Sequence, residues 1–204
     1  MLYKNLIFAF VLINTMSFAQ KSNEYEATIY FTNSTNENGS IKIKENNSKA
    51  KKINFIQNSD RRKKKIALTG ISKIEIHSNK LQLFNTEINM VLEPVYIEKK
   101  KNPILLYLVT EGKLNLYIDR LVESSSGIYG SVFGVVKTYD TYYIKSSNSK
   151  ATKIYSETSP SYKSKVLDYF KSNKTIYSEI MAYGKNFNSS KLYLIVKKYN
   201  LQND

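Results

Sequence analysis

Polar and apolar residues alternate with a period of two along most of the chain, the signature of half-buried β-strands. Residues 24–32 place Tyr25, Ala27, Ile29 and Phe31 on one side. Turn-forming residues fill 33–40, where Asn38-Gly39 is a strong hairpin signal, and Ile41 to Lys44 alternate again. A loop is expected over 46–52 and a short strand over 53–56. Residues 66–78 read as two strands around Thr69-Gly70. In the second, Ile74 and Ile76 face one way, while Lys73, Glu75 and His77 face the other. A turn at Ser78-Asn79 then leads into one more short strand over Leu81 to Phe84. The apolar run 103–109, a turn at Glu111-Gly112, and the alternation of Leu114, Leu116 and Ile118 predict a further hairpin. A Gly-containing loop over 124–134 leads into 135–145, which is rich in β-formers, and a polar turn follows over 146–151.

The period then changes to that of a helix. Thr158-Ser159-Pro160 is a helix start, with Ser159 as cap and Pro160 in the first turn, followed by Tyr162, Val166 and Phe170 at four-residue intervals. A second helix is predicted over 174–183, with Ile176, Ile180 and Tyr183 on one stripe and Gly184 as its stop. A third, over 189–199, is capped by Asn188 or Ser189 and carries Leu192, Ile195 and Tyr199. Strands first and helices last give an α+β expectation: an antiparallel β-rich body over 20–157, as a small barrel or sandwich, with a helical subdomain over 158–204.

The first residues break both periods. Lys4, the apolar run Leu6–Ile13 and the small residues of Ser17-Phe18-Ala19 form a secretory leader, with cleavage expected between Ala19 and Gln20. The apolar run is too short for a bilayer span, which needs about 20 residues. No later segment is long and apolar enough to serve as one. An exported protein, periplasmic or secreted, with association at an outer membrane as a further option, is the expectation.

Composition narrows the chemistry. The 204 residues include 31 Lys and Arg against 17 Asp and Glu, a formal charge of +14, with one His and neither Cys nor Trp. Disulfides, thiol nucleophiles and Cys/His zinc sites are excluded, and a Ser-His-Asp triad would have to use His77. His77 sits on a polar strand face, where a surface role is expected. Glu24 and Glu26 share a strand face about 7 Å apart, as a glycosidase pair would, but at an exposed position. No phosphate loop, calcium loop or nucleophile elbow occurs, and neither cofactor nor metal is expected. The basic excess is almost all Lys, with Arg61, Arg62 and Arg120 the only arginines. Lys, Asn, Ile and Tyr are abundant together, as an AT-rich coding sequence would produce, so no nucleic acid is expected as partner.

Two clusters remain. Arg61-Arg62-Lys63-Lys64-Lys65 is either a polyanion contact or a solvated hairpin tip whose charges discourage edge pairing. Tyr129, Tyr139, Tyr142 and Tyr143 follow from the Gly-containing loop and are candidates for stacking on a ligand, against the plainer role of filling half-buried strand positions.

Leu108-Val109-Thr110-Glu111-Gly112-Lys113-Leu114-Asn115-Leu116-Tyr117 resembles the LV-x-G-x-x-x-LY core of a family of exported, largely uncharacterised Bacteroidetes proteins. Tyr142 to Lys145 is similar to that family's later strand, and Val196 to Asn200 to the end of its helical tail. Thr110 and Glu111 stand where the family has one residue, and the Cys often found in its tail is missing. The resemblance spans roughly residues 105–200. It implies an envelope location and supplies no catalytic residue. The functional expectation is a non-enzymatic accessory, binding or structural protein of a bacterial envelope, partnered by an envelope component or another exported protein. The alternatives are a polyanion binder using residues 61–65 and, less in keeping with the sequence, a small carboxylate hydrolase.

Overall fold

The structure, a computed structural model, describes residues 24–43, 49–84, 86–125, 135–147, 149–156 and 162–203. The expected leader with its Ala19–Gln20 junction, the loop core 126–134 and the helix start at 158–160 lie outside the described residues. The strands are β1 Glu24–Phe31, β2 Asn36–Lys42, β3 Lys52–Gln57, β4 Lys63–Ala67, β5 Ile71–Leu83, β6 Thr86–Val95, β7 Ile104–Thr110, β8 Leu114–Ser125, β9 Val135–Ser146 and β10 Thr152–Ser156. The helices are α1 Tyr162–Phe170, α2 Lys174–Ala182 and α3 Ser189–Asn203. The α+β class and the order of strands before helices agree with the sequence pattern.

The ten strands of the described residues join one antiparallel sheet, in the order β10-β9-β8-β7-β6-β5-β1-β2-β3-β4. Two meanders meet where β5 pairs with β1, for example Ile29 opposite Ile74. The sheet also curls on itself. Past the end of β6, Ile97 forms a parallel bridge with Ala151 at the start of β10. The Ala151 N–H donates to the Tyr96 carbonyl at 2.8 Å, and the Glu98 N–H to the Ala151 carbonyl at 3.2 Å. This joins the first and last of the strands β6–β10 into a ring at one end. The barrel-or-sandwich expectation resolves as a single sheet, curled at its β6–β10 end.

Alternation along β7 and β8 serves two cores. Val95, Ile97, Ile104, Leu106, Leu108, Tyr117, Tyr143 and Ala151 pack together on the ring side. Leu105, Val109, Leu114, Leu116, Ile118, Tyr142 and Ile144 point the other way and join a larger cluster. That cluster runs from Phe55 in β3 to Val166, Phe170, Ile176, Ile180, Leu192, Ile195 and Val196 of the helices. Burial on both faces explains why β7 reads as a continuous apolar run rather than an alternating one.

Four local features differ from the sequence expectation. Instead of a turn at Ser78-Asn79 between two strands, β5 runs on from Ile71 to Leu83, with only a register irregularity against β6 between Glu75 and Lys80. The first hairpin turns at 32–35, where Ser34 takes a φ of 65°, and Asn38-Gly39 lies inside β2. Gly39 is there because the Phe55 ring covers it: a Cβ would stand 2.5 Å from that ring and 2.2 Å from the Ile56 carbonyl oxygen. Strand β6 was hidden by its polar residues and by Pro94, which lacks an N–H for the ladder. Strand β10 was hidden by its shortness.

Two helix starts are capped, α3 by Asn188 as its sequence suggests and α2 by Asn173, which was not among the expected caps. Asn173 Oδ1 accepts from the Ile176 N–H at 3.1 Å, and Asn188 Oδ1 accepts from the Lys191 N–H at 3.0 Å. Gly184 takes a φ of 54° just past α2. The third helix runs on to Asn203, beyond the predicted end. It is clasped to the β7–β8 turn by Asn200, which accepts from the Leu114 N–H at 2.9 Å and donates to the Leu114 carbonyl at 3.0 Å. Gly112 lets the turn approach, since a Cβ there would meet the Asn200 side chain at 2.5 Å.

Candidate anion-binding face

The 61–65 cluster does not stay together at a hairpin tip. Arg61 and Arg62 belong to the turn, where Asp60 Oδ1 accepts from the Arg62 N–H at 3.0 Å, while Lys63–Lys65 enter β4, an edge of the sheet. Register decides what each does. Lys64 stands opposite Phe55, on the side of the core. Its ammonium is taken by Glu37, at 2.9 Å from Oε2 and 3.2 Å from Oε1.

Lys63 and Lys65 point the other way, opposite Ile56 and Asn54. Lys42 of β2 follows Ile41, which pairs with Phe55, and so shares that outer face. These three lysines, with Asn54, Phe55, Ile56 and Lys64, line a cleft of about 470 Å³. Lys63 and Lys65 are exposed. Among the described residues neither has a salt-bridge partner, and no carboxylate lines the cleft. Lys42 has only a long, exposed contact with Glu24 at 3.9 Å. By strand geometry Lys63 and Lys65 are about 7 Å apart, and Lys42 lies about 10 Å away across β3. Ammonium groups at such distances repel weakly in water, and an anion placed between them relieves the repulsion.

Two further clefts differ in character. One of about 480 Å³ includes Lys80, but Glu87 of the same cleft holds it at 3.0 Å. The other, about 340 Å³, lies beside Tyr169, Phe170, Lys174 and Tyr199. Neither gathers several cations free of a carboxylate.

The tyrosine candidates are placed otherwise. Tyr142 is 1% exposed and packs against Phe84 and Tyr155; Tyr143 is 7% exposed in the ring-side core. Burial, with Asp119 nearby, pushes the Tyr143 phenol up to about 12. Neither ring is presented to a surface ligand, because β9 is covered on both faces at Tyr142, Tyr143 and Ile144. Tyr139 is half-buried, and Tyr129 lies outside the described residues.

His77 is indeed on the polar face, its Nε2 at 2.9 Å from Thr28 Oγ1, which donates to Asn38 Oδ1 at 2.7 Å. Nearby, Lys73 at 2.7 Å and the Tyr30 hydroxyl at 2.8 Å hold Glu75 below the usual carboxylate range. Glu24 and Glu26 are exposed on β1, and Glu24 accepts from Ser40 Oγ at 2.7 Å. His77, Glu75 and Glu24 are each engaged by a neighbour on the sheet.

Two buried polar arrangements escaped the sequence reading. Arg120 and Asp140, opposite one another on β8 and β9, form a two-pronged pair at 2.8 and 2.7 Å. The Tyr117 hydroxyl donates to Glu93 at 2.7 Å and accepts from Asn115 at 3.0 Å, and burial raises its pKa well above the ordinary phenol value. Both lie inside the packed half and read as structural. Among the described residues, no three His, Asp or Glu side chains converge as a metal site, and no helix is long and apolar enough to cross a membrane. Compared with known protein families, with curated proteins and with solved structures, the chain matches none.

Proposed function

We propose that this is an exported envelope protein that works by binding rather than by catalysis, and that it engages anionic envelope material through the outer face of β2, β3 and β4. The observation that carries the reading is the cleft of about 470 Å³ lined by four lysines and, among the described residues, by no carboxylate. Lys64 is neutralised within the fold by Glu37, which leaves Lys42, Lys63 and Lys65 to face solvent. The overall charge of +14 adds a long-range attraction for any anionic surface. Export is supported by the leader pattern and by the resemblance of residues 105–200 to exported Bacteroidetes proteins.

The test is retention on an immobilised polyanion such as heparin, read against salt. Binding driven by these ammonium groups falls steeply as salt rises, because each anion contact releases bound counterions. Replacing Lys63 and Lys65 together by Gln should weaken retention far more than replacing Lys99 and Lys100 together, which carry the same charge on the loop between β6 and β7. Equal losses from the two sets would reduce the effect to net charge and remove the site. N-terminal sequencing of the protein from cell fractions tests export: Gln20 as the first residue supports it, and an intact leader on a cytosolic pool overturns it.

A further inference from the structure

We propose that the ligand of the β2–β3–β4 cleft is an amphiphile, a single apolar chain bearing one anionic headgroup of the phosphate or carboxylate type, rather than a fully hydrophilic polyanion. This rests on the reading of the face as an anion site and names the class of anion. The cleft is not a flat array of charges. Its volume, about 470 Å³, lies within the range of small-molecule sites. Ile56 is half-buried at its floor, where a solvent-facing strand position would ordinarily hold a polar residue. Lys42, Lys63 and Lys65 contribute methylene stems as well as ammonium groups, and such stems lie along apolar surface while the charge stays in water.

Geometry sets which end of a ligand goes where. Lys63 and Ile56 are direct cross-strand partners, as are Lys65 and Asn54. A headgroup held between Lys63 and Lys65, with the Asn54 amide as a further donor, therefore has Ile56 beside it. An apolar chain leaving the headgroup runs along Ile56 and the lysine stems toward Lys42. A hydrophilic polyanion would satisfy the ammonium groups and leave that apolar floor uncovered. A neutral amphiphile would cover the floor and leave the ammonium groups unmatched.

Three probes separate these cases, each titrated into the purified protein below its micelle concentration with binding followed by calorimetry: octyl phosphate, octyl glucoside and inorganic phosphate. Octyl phosphate is expected to bind roughly a hundredfold more tightly than inorganic phosphate, the gain from burying about half its chain. Octyl glucoside is expected to bind far more weakly than octyl phosphate. Lys63→Gln with Lys65→Gln should lower octyl phosphate affinity by about tenfold or more. Ile56→Ser should lower octyl phosphate affinity while leaving heparin retention unchanged, a split that a folding defect would not produce. If octyl phosphate binds no better than inorganic phosphate while heparin is still retained through Lys63 and Lys65, the amphiphile assignment falls and the anion-binding reading stands. If octyl glucoside equals octyl phosphate, the anionic headgroup falls; if neither heparin nor any probe binds, both readings fall.

Discussion

Across β8 and β9 an arginine and an aspartate are buried and paired; on the outer face of β4 two lysines are exposed and, among the described residues, have no salt-bridge partner. Arg120 and Asp140 face each other across β8 and β9 with side chains only 22% and 7% exposed, and each satisfies the other in two contacts. Lys63 and Lys65 face each other's neighbours on an edge strand and meet water. The same residue classes thus do different work according to their place in the sheet. An inner strand, covered on both faces, tolerates a charge only with its partner in reach. An edge strand can hold unpaired lysines, which also discourage another chain from adding to the open edge. Holding several such lysines around an apolar floor is what turns an edge defence into a binding face.

The contrast makes predictions that run from large to small. Leu116→Ala, in the core where β8 meets the helices and 0% exposed, should cost about 3 kcal/mol, read as a fall in the urea midpoint. A loss under about 1 kcal/mol would show that this half is loosely packed. Asp140→Ala leaves Arg120 without its partner and should cost about 2 kcal/mol. Asn200→Ala removes the clasp on Leu114 and should cost a similar amount, about 2 kcal/mol, since the Leu114 N–H and carbonyl lose their side-chain partner. Its fingerprint is faster amide exchange at Leu114 and along α3.

Alkaline pH separates the two halves again. Tyr143 holds its proton up to about 12 in the folded chain but only to about 10 when unfolded. The folded state therefore binds the proton more tightly, and its contribution to stability is intact below pH 10 and lost as pH rises toward 12. Denaturation curves between pH 8 and 11 should fall less steeply for Tyr143→Phe than for the natural chain. An unchanged slope would mean that the phenol is reached by water. The smallest stability effect is expected at the other edge: Lys63→Gln with Lys65→Gln should shift unfolding by less than about 0.5 kcal/mol. A large loss there would show that the lysines support the fold and would end the comparison.

Much of the fold was legible in local patterning. The alternation of Leu114, Leu116 and Ile118, and the fourfold spacing of Val166 and Phe170, each mark a face that must be buried, and the structure buries all of them. Asn173 and Asn188 cap helices because their side-chain oxygens reach free N–H groups one turn on, which is a local matter. Other signals misled for non-local reasons. Asn38-Gly39 has the composition of a turn, yet Gly39 is needed for the close approach of Phe55 from another strand. Tyr142 and Tyr143 looked available because no local rule shows that β9 is covered on both faces at these positions.

The candidate site was half legible. The run of charges at 61–65 was plain in the sequence, as was the polar placement of His77. What no local pattern contained was the division of that run: Lys64 turned inward to Glu37, Lys63 and Lys65 turned outward, and Lys42 and Ile56 brought in from β2 and β3. Strand registry between segments distant in sequence makes that division, and a shift of one residue would reverse it. Sequence alone therefore determined the α+β class, the elements with strong periods and the chemistries lacking the necessary residues, because each follows from residue type and short-range spacing. Tertiary structure alone decided the ring closure at Ile97 and Ala151, the clasp of Asn200 on Leu114 and which lysines stay free, because these depend on long-range pairing and on which groups find a partner there.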